Sequence, residues 1–254
     1  MNEYTARKPL YLMSINRVTV RYGSGSLAVF SGRNCRGRYP LERISRILST
    51  ANVDWRGDAL FACTRARISI VLIDRRGGWH GTIEPPLVQL SPVVELLDEL
   101  VTDSDYPDVF DNFMRHLRSK TLKRWLSKRG ACADGEFERK EWVRSYVYGG
   151  QPPHDLQYDF RGLLRALVES RLHKLGVRSR YSTEAGDVLD LAGHLCELVY
   201  GEIVMNSGTI PVTTSDTRAS IRFFQASVED YSQSIDHALK ALQRLLANRV
   251  RRWH

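Results

Sequence analysis

The sequence predicts an α+β protein, with a β-rich N-terminal domain followed by an all-helical C-terminal domain. Two observations support this class. In the first third of the chain, hydrophobic residues alternate with polar ones, which is the pattern of half-buried strands. Beyond residue 92 the period changes to about 3.6, which is that of amphipathic helices. The predicted boundaries are 1–84 for the β-rich domain, 85–92 for a Pro-rich linker and 93–254 for the helical domain.

The β-rich domain is expected to contain a hairpin, a short helix and a buried strand. The segment "RVTVRYGSGSLAVFSG" alternates and breaks at Gly23-Ser24-Gly25, which indicates a hairpin. The segment "GDALFACTRAR" predicts a short helix that links two strands. In "ISIVLIDRRGGWHGTI" an apolar β-branched run meets an Asp-Arg-Arg-Gly-Gly turn, which predicts a buried strand followed by a tight turn.

Five segments in the second domain have the apolar spacing of amphipathic helices. They are "VVELLDELV", "VFDNFMRHLRSKTLKRWLSK", "FRGLLRALVESRLHKLG", "DVLDLAGHLCELVYGEIV" and "YSQSIDHALKALQRLLANRV". Gly176 is predicted to end the third helix as its C-cap, because glycine adopts the left-handed conformation that this position needs.

Composition narrows the class of protein. Of the 254 residues, 43% are hydrophobic and 26% charged, which is typical of a soluble globular protein. No apolar run approaches the roughly 20 residues of a membrane span. The N-terminus lacks the apolar stretch of a signal peptide, so a cytoplasmic location is expected. The four cysteines are scattered without a Cys-x-x-Cys pair, which favours reduced thiols and argues against a zinc site.

Basic residues outnumber acidic ones by 37 to 29, and many fall in runs that contain no acid. Such clustering is what a surface that follows a phosphate backbone requires. The alternative is that each cluster is the solvated face of a helix. The helical domain holds most of the clustered basic residues and is the predicted DNA-binding domain. The residues predicted to bind DNA are Arg115, Arg118, Lys123, Arg124, Arg178 and Arg180.

The stretch "GDVLDLAGHLCELVYGE" places Asp187, Asp190, His194 and Glu197 within eleven positions. On one continuous helix these four side chains fall within about 80° of arc. Carboxylates with an imidazole suit Mg²⁺ or Mn²⁺ acting on phosphate oxygens. The alternative is the ordinary polar face of an amphipathic helix, since an apolar stripe lies opposite.

Several of these segments resemble a known family. "RYPLERISRIL" followed by "VDWRGDALFACTRARISIVLIDRRGGWHG" is similar to the N-terminal domain of the CRISPR-associated adaptation integrase (Cas-one) family. "HDLQYDFRGLLRALVESRLHKLGV" and "VLDLAGHLCELV" resemble two helices of its C-terminal domain. The resemblance implies a metal-dependent DNA endonuclease and integrase that acts in CRISPR spacer acquisition, an antiviral defence. It implies joining of the 3′-hydroxyl ends of a short DNA duplex (the prespacer) to a CRISPR repeat.

The resemblance also implies homodimers that are bridged by a small partner protein, Cas-two. Pairing of the β domains is expected to use an exposed apolar strand surface. The residues expected to form that surface are Val18, Val20, Leu27 and Val29.

In the family, the metal is held by a Glu, a His and an acid. The Glu precedes a Tyr by eight residues, a spacing that Glu138 and Tyr146 match, with Glu141 as a competitor. The helix Asp matches Asp190, but the position three residues later is Gly193, and no His lies between Gly176 and Asp190. The candidate catalytic residues are Glu138 and His194. The candidate metal ligands are Glu138, Glu141, Asp190, His194 and Glu197.

Three hypotheses remain at this point. The first is a divergent adaptation integrase in which these residues hold Mg²⁺ or Mn²⁺. The second is a catalytically inactive relative that acts as a DNA-binding or assembly subunit of the adaptation machinery. The third is an unrelated helical nucleic-acid binder with a β module attached.

Overall fold

The chain divides into two compact units. The structure, a computed structural model, describes residues 7–14, 16–87, 89–129, 140–153, 159–182, 186, 188–207 and 217–253. The first unit comprises Met1–Val88 and Arg161–Ser170, and the second comprises Gln89–Phe160 and Arg171–His254. Strands precede helices along the chain, so the predicted α+β class is confirmed. The domain boundaries predicted at residues 84 and 93 stay a prediction.

One sheet of the first unit has the strand order β4-β3-β2-β6. The strands are β2 (Val18–Gly23), β3 (Ser26–Ser31), β4 (Asn34–Pro40) and β6 (Val53–Trp55). Strands β2 and β3 form the predicted hairpin. The turn between them has a positive φ at both Ser24 (50°) and Gly25 (74°). A two-residue turn of this kind matches the twist of the strands that it joins.

The other sheet has the order β1-β5-β7-β8. Its strands are β1 (Lys8–Leu12), β5 (Ile44–Thr50), β7 (Ile70–Ile73) and β8 (Trp79–Ile83). Strands β5 and β7 are parallel, and the connection between them contains the predicted short helix, α1 (Gly57–Arg65). The predicted turn after β7 is built around Asp74, whose Oδ1 accepts hydrogen bonds from the backbone N–H of Arg76 (2.7 Å) and Gly78 (2.8 Å).

The four apolar residues expected to form an exposed pairing surface lie in the core instead. Val18 and Val29 are 7% exposed, and Val20 and Leu27 are fully buried. They belong to one hydrophobic cluster with residues of the other sheet and of α1. The prediction of an exposed apolar surface here is therefore wrong. The alternating pattern of a strand predicts which face is apolar, but it does not predict what packs on that face. Here a second layer of the same unit covers it.

The remaining helices follow in chain order, together with a short two-stranded sheet. They are α2 (Pro92–Thr102), α3 (Tyr106–Arg129), a π-helix (Val143–Tyr148), α4 (Arg161–Lys174), α5 (Leu191–Ser207), α6 (Thr217–Ala226) and α7 (Val228–Trp253), with strands β9 (Tyr181–Ser182) and β10 (Val188–Leu189). Gly176 has a φ of +67° just after α4, which confirms the predicted C-cap. Within the described residues, no helix is long and apolar enough to cross a membrane.

The first ten residues of α4 pack on the second sheet within the first unit. The backbone N–H of Gly162 donates to the carbonyl oxygen of Gly77 (2.9 Å). A Cβ atom at Gly162 would lie 2.4 Å from that same oxygen and from Ile73 Cγ2. Only glycine fits this close approach of helix and strand.

A buried polar network continues the same contact. Arg165 Nε donates to Glu169 Oε1 at 2.5 Å, and both side chains are 5% exposed or less. Thr82 Oγ1 donates to the other carboxylate oxygen of Glu169 at 2.7 Å, and the Arg165 guanidinium lies 4.5 Å from the centre of the Trp79 ring. Burial raises the pKa of Glu169, and the charge of Arg165 opposes that rise. The pair therefore anchors α4 to β8.

Candidate functional site in the helical unit

Helix α5, which carries His194 and Glu197, is buried nearly all round. Residues from several sides of the helix are at most 4% exposed: Leu191, Ala192, Leu195, Cys196, Leu198, Val199 and Tyr200. His194 and Glu197 are half-buried. The helix therefore does not have a wide solvated face opposite one apolar stripe, and both His194 and Glu197 are partly covered by neighbouring residues.

Asp190 lies in front of this helix and not within it. Val188 and Leu189 pair with Ser182 and Tyr181 as strands, and α5 begins at Leu191. The prediction of one continuous helix from residue 187 onwards is therefore wrong, and so is the arc calculated for it; Asp187 itself lies outside the described residues. The physical reason is the carboxylate of Asp190, which favours an N-cap over a helix interior.

Polar groups of the protein face both the carboxylate and the backbone oxygen of Asp190. Its Oδ1 accepts a hydrogen bond from the backbone N–H of Gly193 at 3.1 Å, as an N-cap residue does. Its backbone oxygen accepts from the N–H of His194 at 3.0 Å, which is the first bond of the helix. Arg180 Nε lies 3.8 Å from the same Oδ1. Asp190 thus caps a helix and faces a cation of the protein.

His194 packs against Phe110 of α3. The two ring centroids are 5.0 Å apart, in an edge-to-face arrangement. Burial lowers the pKa of His194, and the positive charge of Arg118 lowers it further, while Asp190 and Asp111 act in the opposite direction. The imidazole is therefore neutral at pH 7.

Arg118 brings a positive charge into this cluster. The residue is 8% exposed, and its Nη1 donates to the carbonyl oxygen of Val147 at 3.4 Å. Burial lowers the pKa of Arg118, whereas Tyr146 and the negative charges of Asp111 and Glu197 oppose that effect. Arginine stays protonated in proteins, so a permanent cation lies within electrostatic range of both carboxylates and of His194.

Glycine makes room for that guanidinium. Gly150 has a φ of +79°, and a Cβ atom there would lie 3.2 Å from Arg118 Nη2. Gly150 follows the π-helix, and π-helical turns occur often at functional sites. The "YGG" stretch after Tyr146 is the sequence signal for this close approach, which sequence analysis did not interpret.

Tyr146 fixes the π-helix to α5. Its hydroxyl donates to the carbonyl oxygen of Leu198 at 2.8 Å, and the side chain is fully buried. A Cβ atom at Gly201 would lie 2.2 Å from the Tyr146 ring. Burial raises the pKa of Tyr146, so the phenol stays protonated. Sequence analysis missed this contact, although an isolated glycine inside a helical pattern is a signal for close packing.

The three glutamates among the candidate metal ligands differ in where they lie. Glu138 lies outside the described residues. Glu141 is half-buried just before the π-helix, and Glu197 influences the charge states of Arg118 and Tyr146. Within the described part of the chain, no three His, Cys, Asp or Glu side chains are grouped so as to hold a metal ion.

Four of the arginines predicted to bind DNA face carboxylates of the protein. Arg178 Nη1 contacts both carboxylate oxygens of Asp98 (3.0 and 3.2 Å), and Arg180 faces Asp190. Arg124 lies 3.5 Å from Glu202, and Arg115 lies 3.8 Å from Asp111. Lys123 is exposed, whereas Arg118 is buried.

Comparison with known proteins identifies the fold. No protein-family model and no curated protein sequence matches the chain. A CAS1 protein from Thermotoga maritima superposes with a TM-score of 0.69 at 15% identity, covering 94% of this chain and 97% of that one. A complex of TtCas1 with DNA gives 0.56 at 11%, covering 94% and 91%. A casposase bound to integration product gives 0.52 at 14%, covering 91% and 82%.

The chain therefore has the Cas1 fold, diverged far in sequence. This confirms, at the level of the fold, the resemblance seen in the segments around Asp74 and Asp190.

Proposed function

We propose that this protein acts in CRISPR spacer acquisition as a DNA-binding and assembly subunit with the Cas1 fold. The similarity to a Cas1–DNA complex and to a casposase bound to its integration product supports a role in DNA integration. One observation carries the choice of a non-catalytic subunit. The buried guanidinium of Arg118 already supplies positive charge to the cluster of Asp111, His194 and Glu197.

The described residues do not fit a Mg²⁺ or Mn²⁺ site. Such an ion takes oxygen ligands arranged around it. Asp190 uses its Oδ1 on the N-cap bond to Gly193 and faces Arg180, and His194 packs on Phe110. A dication beside Arg118 would also be repelled by the guanidinium.

The partners that belong to this proposal are double-stranded DNA, as prespacer and CRISPR repeat, and a small Cas-two-like protein. A homodimer is also proposed. Its pairing surface differs from the one predicted, because Val18, Val20, Leu27 and Val29 are buried.

A second candidate is the metal-dependent DNA endonuclease and integrase, with Glu138 or Glu141 joining Asp190, His194 and Glu197. One observation favours it. Burial and Arg118 hold His194 in the neutral form, which is the form of imidazole that binds metals.

An integration assay tests the choice between the two. The full chain is mixed with a labelled short duplex bearing 3′-hydroxyl ends and with a supercoiled plasmid that carries a CRISPR repeat. The reaction is run in Mg²⁺, in Mn²⁺ and in EDTA. His194→Ala is compared with His116→Ala, which removes an exposed histidine of α3. Binding of the duplex is measured in parallel.

The proposal expects duplex binding that EDTA and both substitutions leave unchanged, with no joined product. Metal-dependent joining that His194→Ala abolishes and His116→Ala retains would replace it with the second candidate. Absence of duplex binding by the unmodified protein would overturn both.

A further inference from the structure

The net positive charge of the protein lies entirely in its first 88 residues. That segment holds 14 Lys and Arg against 6 Asp and Glu, a net charge of +8, which equals the charge of the whole chain. Residues 89–254 hold 23 basic and 23 acidic residues and are neutral overall. Long-range attraction of a polyanion by the net charge of the protein therefore originates in this segment.

Several of these cations lie on one exposed sheet face. Arg21 of β2 and Arg38 of β4 are both directly opposite Ala28 of the central strand β3. Directly opposed residues share a face, so Arg21, Ala28 and Arg38 form a row across three strands. Arg21 and Arg38 are exposed, whereas Val20 and Val29, on the other face of the sheet, are in the core. We call this exposed surface, defined by Arg21, Ala28, Phe30 and Arg38, the β-face.

Further arginines border the β-face. Arg33 lies in the β3–β4 turn, and Arg36 lies at the bulge where the register of β3 and β4 shifts; both are exposed. Within the described part of the chain, none of Arg21, Arg33, Arg36 and Arg38 forms an ion pair with a carboxylate. On the same sheet, Asp54 of β6 faces Arg17 at 3.9 Å.

The geometry of Arg21 prepares it for a phosphate. Its guanidinium lies 5.1 Å from the centre of the Phe30 ring. Stacking on an aromatic ring orients the guanidinium but uses none of its five N–H donors, which can still bind phosphate oxygens in pairs. Neighbouring strands are about 4.8 Å apart, so the backbones of Arg21 and Arg38 lie about 10 Å from each other, with only the small Ala28 between them.

We infer that the β-face binds the sugar-phosphate backbone of duplex DNA without regard to sequence. The inference rests on the proposed DNA-binding function and locates that function on the β-rich unit. Charge complementarity selects this occupant. A second copy docked by the same face would bring like charges together, which disfavours association. Exposed arginines in a row across neighbouring strands contact phosphates, and contacts of this kind carry no information about base sequence.

The test compares two double variants of the full chain. Arg21→Ala with Arg38→Ala removes the pair that flanks Ala28. Arg124→Ala with Arg178→Ala removes the same charge from the helical unit, where each arginine faces a carboxylate. Affinity for a labelled DNA duplex of arbitrary sequence is measured over a range of salt concentrations. A double Arg→Lys variant at positions 21 and 38 serves as the control for charge. The far-UV circular dichroism spectrum of each protein checks that its secondary structure is retained.

We expect the β-face variant to bind at least about tenfold more weakly at low salt, and its log–log salt slope to fall by about 0.9 for each arginine removed. The Lys variant should keep most of the slope, since its charge is unchanged. The inference is overturned if the salt slope of DNA affinity is normal in the β-face variant and reduced in the Arg124/Arg178 variant. That result would still support the proposed DNA-binding function.

Two further results would also overturn it. One is displacement of the DNA by a much lower concentration of duplex RNA of the same sequence. The other is absence of duplex binding by the unmodified protein, and this result alone rejects the proposed function as well.

Discussion

The arginines of the β-rich segment and those of the helical unit differ in whether they pair with carboxylates. The exposed arginines of the β-face lie without carboxylate partners in the described part of the chain, and residues 1–88 carry the whole net charge. In the helical unit, Arg171, Arg178 and Arg249 each contact an aspartate. An acid-free run of basic residues therefore does not imply a basic surface, because the neutralising carboxylates come from elsewhere in the chain.

The difference has a simple structural origin. Helices that pack side by side bring their polar edges together, so long cationic side chains reach carboxylates on neighbouring helices. The partners Arg171 and Asp236 are 65 residues apart, and Arg249 and Asp103 are 146 apart. On the outer face of the β4-β3-β2-β6 sheet, Arg21 and Arg38 are exposed, and within the described part of the chain neither forms an ion pair with a carboxylate.

The largest effect is expected for a buried ion pair in the β-rich unit. Glu169→Ala would leave Arg165 buried beside Trp79 without its carboxylate, so the free energy of unfolding should fall by about 3–5 kcal/mol. Urea denaturation measures this change in the free energy of unfolding. The double change of Arg165 and Glu169 to Met should be much less harmful, since it removes both charges. A loss below about 1 kcal/mol for Glu169→Ala would show that the pair is solvated and exchangeable like a surface pair.

A smaller loss is expected at the start of α5. Asp190→Ala removes the N-cap bond to Gly193 and should lower the free energy of unfolding by about 0.5–2 kcal/mol. Asp190→Asn should be nearly neutral, because Asn caps helices about as well as Asp. If Asn were as harmful as Ala, the charge pair with Arg180 would outweigh the cap, contrary to our interpretation of Asp190.

A pH effect follows from His194. Its pKa is lowered from the ordinary value of 6.5 by burial and by Arg118. As the pH falls below 6.5, the unfolded chain binds the proton before the folded protein does. Stability is therefore complete above that pH and falls below it, with a slope of at most about 1.4 kcal/mol per pH unit.

The measurement is urea denaturation at about pH 7.5 and about pH 5.5, around the normal titration range of histidine. The difference between the two values should be smaller in His194→Gln than in the unmodified protein. An equal difference in both proteins would mean that His194 titrates normally and that Arg118 does not influence it.

The smallest effect is expected for an ion pair on the surface of the helical unit. Arg178 and Asp98 are 44% and 46% exposed, so Arg178→Ala should lower the free energy of unfolding by no more than about 1 kcal/mol. The loss should decrease in high salt, because salt screens exposed charges. A larger loss that does not depend on salt would assign this arginine a structural role through its contact with Tyr181.

Local rules predicted the elements but not always their limits. The turn at Ser24 and Gly25, the Asp74 turn and the cap at Gly176 need only short-range information, and the structure confirms all three. The start of α5 was misplaced because the period alone cannot distinguish a short strand followed by a capping aspartate from a continuing helix. The Tyr146–Gly201 contact joins segments 55 positions apart in the sequence, beyond the reach of any local pattern.

The sequence by itself determined the order of strands and helices and the confinement of the net charge to residues 1–88. These properties depend on the spacing and the number of residues, which the linear sequence specifies fully. Tertiary structure alone decided that Val20 and Leu27 face a second layer and that Arg118 is buried within electrostatic range of Glu197. It also decided that Arg178 pairs with Asp98, whereas Arg38 is exposed. Burial and Coulomb energy depend on distance in space, and the chain brings residues far apart in sequence to within a few ångströms only when it folds.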